Sequence, residues 1–257
     1  KTTLSQKVAI VSCIRAYTYH CNMIGLDKVL VACPISQYKD YCLPQWLSHV
    51  SKLTYTNKDF YFVDNSPNRK YHKSLNRLNM RVDHIKQRKS FNETLTLAQN
   101  MIRDKVLMGG YDYLMFIECD QFIPLDIIES LMIHRQPVVG GSYPIFRGED
   151  MKSIVSTPII ADNQLKVNLL SIESEHQSVG GGIVRAMGVG FGCTLIHKDV
   201  LKQIMFRSEK NQDFASDSFF YEDCYRQNVP VFVDTEIFSK HYSDGVGINI
   251  DDKQKKA

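Results

Sequence analysis

The chain has 257 residues, of which 44% are hydrophobic, 11% aromatic and 23% charged, and its formal net charge is +3. This composition is typical of an ordinary globular protein and excludes a disordered or collagen-like chain. Its seven cysteines include no CxxC pair, which argues against a disulfide framework or a zinc ribbon and favours a reducing compartment.

Neither a membrane span nor a signal peptide is predicted. No apolar run reaches the roughly 18 residues that a spanning helix needs. The short apolar run Val8–Ile14 is followed at once by Arg15, with no evident small-residue cleavage site, and is more typical of a strand. We therefore expect a cytoplasmic protein without a transmembrane segment, and residues 1–27 form an N-terminal extension of unknown role.

Strands and helices are predicted to alternate from residue 28 onward. Lys28–Ile35 is a nearly continuous apolar run that ends near Pro34 and Ser36, which is typical of a strand buried on both faces. Helical spacing of apolar residues follows over Pro44–Leu53. A second strand is predicted over Phe60–Val63, where a turn stops it.

The middle of the chain continues this alternation. Ser90 and Glu93 form an S-x-x-E capping box before a helix that ends at two glycines. A third buried strand is predicted over Tyr113–Cys119, followed by a helix that begins near Pro124. A fourth strand is predicted over Val138–Gly141.

The pattern weakens from about 145 to 190, where we expect a long active-site loop. A strand and a helix capped by Asp199 are predicted next, then a helix over Asp217–Gln227 and a strand over Val231–Asp234. Residues 251–257 form a frayed tail. These elements predict one α/β domain over residues 28–250, a doubly wound, mostly parallel sheet with helices on both faces, whose ligands bind at the carboxyl ends of the strands.

Positive charge is concentrated in one stretch, residues 69–89, which we call the basic segment. It contains eight basic residues and one acid, whereas the rest of the chain has 23 basic and 27 acidic residues. Such a run indicates either an anion-binding surface or a solvated helix face. The eight basic residues are Arg69, Lys70, Lys73, Arg77, Arg81, Lys86, Arg88 and Lys89.

Two predicted strands end in acidic residues. Asp64-Asn65 follows the second strand, and this pair either binds a ribose hydroxyl or a base NH or simply caps its own turn. Glu118 and Asp120 follow the third. Because unpaired carboxylates are costly to bury, a hard divalent cation such as Mg²⁺ or Mn²⁺ is their natural partner. The alternative is that Asp120 or Gln121 is the N-cap of a helix that begins near Pro124.

Acidic residues also occur near the end of the chain. Glu222 and Asp223 are adjacent on a predicted helix, so they point in different directions and can divide two tasks. One task is to hold an acceptor hydroxyl and the other is to take its proton; the alternative is a solvated helix face. His241 is a lone histidine, which is more often structural than a ligand.

These segments, taken in order, resemble the GT-A glycosyltransferases, especially family 2 and its retaining relatives. VDNS at 63–66 and ECDQ at 118–121 stand in the places of the family's strand-end aspartate and DxD motif. MGVGFGCTLIHKDVLKQI at 187–204 is similar to the glycine-rich acceptor loop and its following helix, and YEDCYRQNVPVFVDTEIFSKHY at 221–242 to the ED segment. The resemblance covers residues 28–242 and implies a Rossmann-like GT-A fold, with a nucleotide-sugar-binding half at 28–123 and an acceptor-binding half at 124–250.

The resemblance also implies roles for individual residues. Asp64 contacts the nucleoside, Asp120 and His241 bind the metal, Glu118 lies near the metal or the ribose, and Asp223 is the catalytic base. The chain lacks the QxxRW motif of the processive synthases, and this absence favours transfer of a single sugar over polymerisation. The resemblance implies a hexosyltransferase-type reaction that uses Mn²⁺ or Mg²⁺ and a nucleotide-diphosphate sugar, with a UDP-sugar favoured as the donor. Further donor-binding candidates are Pro34, Ser36, Asn65, Arg69, Arg88 and Asn92.

Three other functions compete with this one. A nucleotidyltransferase also pairs carboxylates with a metal, but it usually has a glycine-rich phosphate loop after the first strand, and ACPISQYKD contains no glycine. A non-catalytic module for nucleotides or nucleic acids is another alternative, although the basic segment has few aromatic residues for stacking. The third is a glycosyltransferase whose acceptor is itself a nucleic acid, bound along the basic segment. The acceptor class, whether glycan, lipid, protein or modified nucleic acid, stays open.

Overall fold

The computed structural model describes residues 27–67, 69–75, 82–147, 150–161, 164–171, 182–209, 216–243 and 246–248. Nearly all of the N-terminal extension and the whole predicted tail lie outside the described residues, as do Arg77 and Arg81 of the basic segment. Among the described residues, no helix is both long enough and apolar enough to cross a bilayer.

Over residues 29–142 the described chain mostly alternates strands with helices, as predicted. The strands are β1 (Val29–Ile35), β2 (Lys58–Asp64), β3 (Val82–His84), β4 (Tyr113–Phe116), β5 (Gln121–Phe122), β6 (Val138–Ser142), β7 (Pro144–Arg147), β8 (Asp150–Ala161), β9 (Gln164–Ser171), β10 (Ile183–Ala186), β11 (Thr194–His197), β12 (Val231–Phe238), β13 (Lys240–Ser243) and β14 (Val246–Ile248). The helices are α1 (Leu43–Val50), α2 (Arg69–Leu75), α3 (Phe91–Met108), α4 (Ile127–Met132), α5 (Lys198–Gln203) and α6 (Ser216–Arg226), with a 3₁₀ turn at Gln37–Lys39.

An eight-stranded sheet flanked by helices forms the centre of the fold, with strand order β10-β12-β6-β11-β4-β1-β2-β3. The pairs β1–β2, β1–β4, β2–β3 and β6–β12 are parallel, and the three remaining pairs are antiparallel. The mostly parallel α/β sheet predicted from the sequence is therefore confirmed. Since parallel neighbours end at the same edge, the segments that follow β1, β2 and β4 meet there, at what we call the carboxyl edge.

Several predicted elements are confirmed residue by residue. β1 is fully buried except at Pro34, which is half-buried, as its unbroken apolar run predicts. Ser90 is the N-cap of α3 as predicted, and its side chain accepts a hydrogen bond from the Glu93 backbone N–H at 3.1 Å, which is one of the two bonds of a capping box. Within the described residues the cysteines form no disulfide.

Two predictions are wrong. The expected long loop contains a three-stranded antiparallel sheet, β7-β8-β9, and the run from 153 to 160 that forms part of β8 is rich in β-branched residues, which favour strands. The predicted cap of α5 is wrong too. His197, not Asp199, occupies the N-cap position and accepts a hydrogen bond from the Asp199 backbone N–H, while Asp199 lies in the first turn.

The glycine-rich loop between β10 and β11 packs against the buried ring of Tyr143. The Gly192 backbone N–H donates to Tyr143 Oη at 3.2 Å, and a Cβ added at Gly192 would lie 2.6 Å from ring atoms Cε1 and Cζ. Gly190 adopts φ +72° and also lies against this ring. The absence of side chains at these positions is thus required by packing.

Gly192→Ala is expected to lower the free energy of unfolding by about 2 kcal/mol, because the new methyl group overpacks a buried ring. Urea denaturation measures the change. The matched control is the same substitution in a Tyr143→Leu background, where the smaller side chain relieves the clash and the two effects deviate from additivity by about 1 kcal/mol or more. Additive effects would show that the ring does not restrict this position.

Candidate active site

The turn that follows β4 carries the acidic pair of the carboxyl edge. The Gln121 backbone N–H donates to the Glu118 carbonyl at 2.9 Å and closes the turn that contains Asp120. Gln121 begins β5, which pairs antiparallel with β13 so that Gln121 lies opposite His241. The Tyr242 backbone N–H donates to the Asp120 carbonyl at 2.8 Å. Two short strands from distant parts of the chain therefore place His241 beside Asp120.

His241 and Asp120 are oriented toward each other. Imidazole Nε2 lies 3.5 Å from Asp120 Oδ2, and Nδ1 lies 3.0 Å from the Pro144 carbonyl oxygen, which can only accept a hydrogen bond. A proton on Nδ1 therefore leaves Nε2 to face the carboxylate. Burial alone would lower the pKa of His241, but the hydrogen bond and the charge of Asp120 together raise it above the usual value.

Lys39 also contacts Asp120, and it did not emerge from the sequence analysis. It ends the 3₁₀ turn after β1, and its Nζ lies 2.6 Å from Asp120 Oδ2. Asp120 is only 4% exposed. Burial alone would raise the pKa of Asp120, yet His241 and Lys39 hold it below the usual value. The carboxylate therefore stays ionised beneath the surface because two basic groups face it.

Glu118 belongs to the same electrostatic cluster. Its burial, and then the charges of Asp120 and Asp217, raise its pKa to about 8. Asp217 lies in the first turn of α6 and is half-buried. The structure thus places Asp120 and Asp217 within electrostatic reach of Glu118, and Lys39 and His241 are the positive neighbours of Glu118 and Asp120.

Carboxylate oxygens suit Mg²⁺ or Mn²⁺, whereas an imidazole is a softer ligand for these ions. In the described part of the chain, no three His, Cys, Asp or Glu side chains form a group that could hold a metal by themselves. Mg²⁺ is usually held by one or two carboxylates together with substrate phosphates and water rather than by an all-protein cage. Asp120 and His241 fit such a partial set of ligands, with Glu118 close by.

The carboxylate of Asp64 contacts nearby polar groups of the protein. It is fully buried, accepts from the Ser66 backbone N–H at 2.9 Å, and lies 3.0 Å from His84 Nδ1. The Asn65 backbone N–H donates to the Ile35 carbonyl at 2.9 Å. Asp64 therefore shapes the segment after β2 in the way that a self-capping turn would, and its contact to a nucleoside stays a prediction.

The other donor-binding candidates are spread around the carboxyl edge. Ser36 caps the 3₁₀ turn that carries Lys39, and Asn92 is the second residue of α3. Arg69, in α2, and Arg88, after β3, are exposed and make no ion pair within the described part of the chain. Their contacts to a diphosphate stay predictions.

Glu222 and Asp223 are both bound by Arg207. Arg207 Nε lies 2.7 Å from Asp223 Oδ2, and its Nη2 lies 3.1 Å from Asp223 Oδ1 and 2.8 Å from Glu222 Oε2. Arg226 Nη2 is 2.6 Å from the second Glu222 oxygen. Each carboxylate oxygen of this pair thus already accepts from a guanidinium group, and the roles of both acids in the reaction stay predictions.

A different face of α6 points toward the acidic cluster. Asp217, Tyr221 and Cys224 are spaced by four and three residues and share one face of the helix. Tyr221 and Cys224 are buried, and Tyr221 Oη donates to the Gly190 carbonyl at 3.2 Å. This shared face is the signal in the sequence that would have favoured Asp217 over the adjacent Glu222 and Asp223.

Arg207→Met is expected to lower the free energy of unfolding by about 1 kcal/mol, because Asp223 is mostly buried and loses its bidentate partner. Thermal unfolding measures the change. Arg226→Met is the matched control. This side chain is 65% exposed and its ion pair to Glu222 is a surface pair, so its removal should change stability by less than about 0.5 kcal/mol. Equal effects would contradict a special role for Arg207.

Comparisons with known families, curated proteins and solved structures give a similarity only to solved structures. No family model and no curated protein matches the chain. Among solved structures, S. aureus TarS 1–349 is similar, with a TM-score of 0.49 and 14% sequence identity, and the match covers 82% of this chain and 60% of that one. The chain thus spans about three fifths of the length of that structure.

Proposed function

We propose that the protein is a metal-dependent glycosyltransferase, which moves a sugar from a nucleotide-diphosphate sugar to an acceptor hydroxyl. The observation that carries the proposal is the meeting of Asp120 and His241, 3.5 Å apart, at the carboxyl edge of a mostly parallel sheet. Ligands of such sheets bind at this edge. The adjoining Glu118 and Asp217 supply the acids that this chemistry requires.

The leaving diphosphate determines what the site has to provide. Departure of the sugar leaves negative charge on the diphosphate, and a bound Mn²⁺ or Mg²⁺ supplies a Lewis acid that neutralises it. Asp120 and His241 would hold this cation, and Glu118 would lie beside it or beside the ribose. Lys39 adds a positive charge within reach of the same place. UDP-sugar is favoured as the donor by the family resemblance.

The acceptor hydroxyl must lose its proton as it attacks. We propose Asp217 as the base, in place of the Asp223 favoured by the sequence. Asp217 lies close enough to Glu118 to raise the pKa of Glu118, and its Oδ1 accepts from the Ser218 backbone N–H at 2.7 Å, whereas both oxygens of Asp223 accept from the guanidinium group of Arg207. A base needs an oxygen with hydrogen-bonding capacity directed at the substrate. Asp223, with Glu222, would then act by binding Arg207 next to α6.

A donor screen tests the function. The protein is incubated with UDP-, GDP- and dTDP-sugars and Mn²⁺ or Mg²⁺, and release of the nucleoside diphosphate is followed without an added acceptor. We expect slow hydrolysis of one class of donor, abolished by EDTA and absent with a heat-denatured sample. A blank across all donors and both metals would contradict the proposal and favour a non-catalytic nucleotide- or nucleic-acid-binding module.

A further inference from the structure

Lys39 occupies the place beside Asp120 Oδ2 that a bound metal ion would need. Its ammonium lies 2.6 Å from Asp120 Oδ2, and His241 Nε2 faces the same oxygen from 3.5 Å. Metal–ligand distances at oxygen and imidazole nitrogen are about 2.0–2.2 Å. A divalent cation bound by Oδ2 and Nε2 would therefore lie next to the ammonium in a partly desolvated site. Because the two positive groups repel each other, the ammonium must leave this oxygen when the cation binds.

The surroundings of Lys39 allow such a movement. Its side chain is 42% exposed although its partner carboxylate is only 6% exposed, so the lysine approaches Asp120 from the solvent side. In the described part, the only other side chain that Lys39 meets through a hydrogen bond, ion pair or ring contact is the exposed Tyr41, whose Oη is 3.4 Å from Nζ. No packed core group has to move for the lysine to turn outward.

The charges of the site indicate where the ammonium goes. Asp120 and Asp217 are acids within electrostatic reach of Glu118, and a diphosphate brings further negative charge into the same place. One divalent cation does not balance all of these groups. An ammonium on a flexible stem, starting at the carboxyl edge, can accompany the diphosphate as a point charge.

We propose that Lys39 exchanges partners: it neutralises Asp120 while no divalent cation is bound, and binds the donor's diphosphate once a cation has taken its place. The inference rests on the proposed function for the identity of the diphosphate. It makes Lys39 a competitor of the metal and a ligand of the phosphate at once. Removing its charge should therefore change the affinities for the two ligands in opposite directions.

The experiment uses the full chain with Mn²⁺ alone and with inorganic pyrophosphate in the presence of saturating Mn²⁺. Isothermal calorimetry measures both affinities for wild type, Lys39→Met and Lys39→Arg. We expect Lys39→Met to bind Mn²⁺ at least about three-fold more tightly, as a competing cation is lost, and Mn²⁺–pyrophosphate about ten-fold more weakly. Lys39→Arg, which keeps the charge, should stay within about three-fold of wild type for pyrophosphate.

Lys198→Met is the matched control. Lys198 forms a Lys–Asp ion pair of similar length with Asp112, Nζ–Oδ1 2.7 Å, but Asp112 precedes β4 and so lies at the opposite edge of the sheet. This variant should leave both affinities unchanged. Circular dichroism establishes that each variant is folded, and Lys39→Gln replaces Lys39→Met if the latter is not.

The outcomes separate the two proposals. If wild type binds both probes and the neutral Lys39 variant moves neither affinity, or moves both in the same direction, the exchange is refuted while the proposed function stands. If wild type binds neither Mn²⁺ nor Mn²⁺–pyrophosphate, the donor site and the role of Lys39 are both refuted. Only opposite shifts, absent in Lys198→Met, support the exchange.

Discussion

Asp120→Ala is expected to abolish the Mn²⁺-dependent binding of UDP, with an affinity loss of about 100-fold or more. This carboxylate is the buried group on which Lys39 and His241 converge, at 2.6 and 3.5 Å, so its loss removes the anion that makes the site attractive to a cation. Calorimetry with UDP is carried out with Mn²⁺ and again with EDTA, and the difference between the two affinities is the quantity compared. The measurement with EDTA is needed because Asp120→Ala leaves Lys39 without its carboxylate partner, so that Lys39 can bind the phosphates of UDP without a metal.

A variant of the second proposed metal ligand and a surface control are compared with Asp120→Ala. His241→Ala should weaken the metal-dependent binding less than Asp120→Ala, since one imidazole is a softer and more replaceable ligand for Mn²⁺. Asp104→Ala, on the exposed surface of α3, should have no effect. If Asp120→Ala keeps the wild-type difference between Mn²⁺ and EDTA, the cation is held elsewhere or is not needed, and the proposed metal site is wrong.

The elements that could be predicted from the sequence are those determined by residues close to one another along the chain. The apolar run of β1 and the capping box of α3 are local patterns, and each determines its element through burial or through one hydrogen bond. The order of strands and acids along the chain then places Asp64 and Asp120 at the carboxyl edge. None of this requires knowledge of which distant residues touch.

The candidate site depends on contacts that have no local pattern. β5 has two residues and β13 has four, too few to produce a detectable alternation, yet their pairing brings His241 to Asp120. Lys39 follows β1 and reaches Asp120 in the turn after the neighbouring strand β4, and nothing in ISQYKDY distinguishes this lysine from other surface lysines. Long-range ion pairs of this kind explain why composition and spacing indicated the acids but not their basic partners.

The same limit applies to the acids of α6. Sequence spacing shows that Glu222 and Asp223 diverge, but not that Arg207, from the segment after α5, binds both. Arg207 binds both carboxylate oxygens of Asp223, one of which a catalytic base would direct at the substrate. Whether an acid on a helix is available for chemistry therefore depends on a partner that only the tertiary structure identifies.

Asp217→Asn is expected to lower turnover by about 10² or more while the affinity for UDP with Mn²⁺ stays close to wild type, because the amide keeps the shape of the side chain and cannot take the acceptor's proton. Asp223→Asn is the matched comparison, made on the same helix with the same change of atoms. It should cost less than about ten-fold in turnover and instead lower the melting temperature, as it weakens the pairing with Arg207. Steady-state kinetics with the donor and acceptor that support transfer, together with thermal unfolding, measure both effects.

If Asp223→Asn is inactive but has the melting temperature of wild type, and Asp217→Asn is active, the base is Asp223 and not Asp217. If both variants stay active, neither acid takes the proton, and the attack on the sugar must proceed without a base on α6.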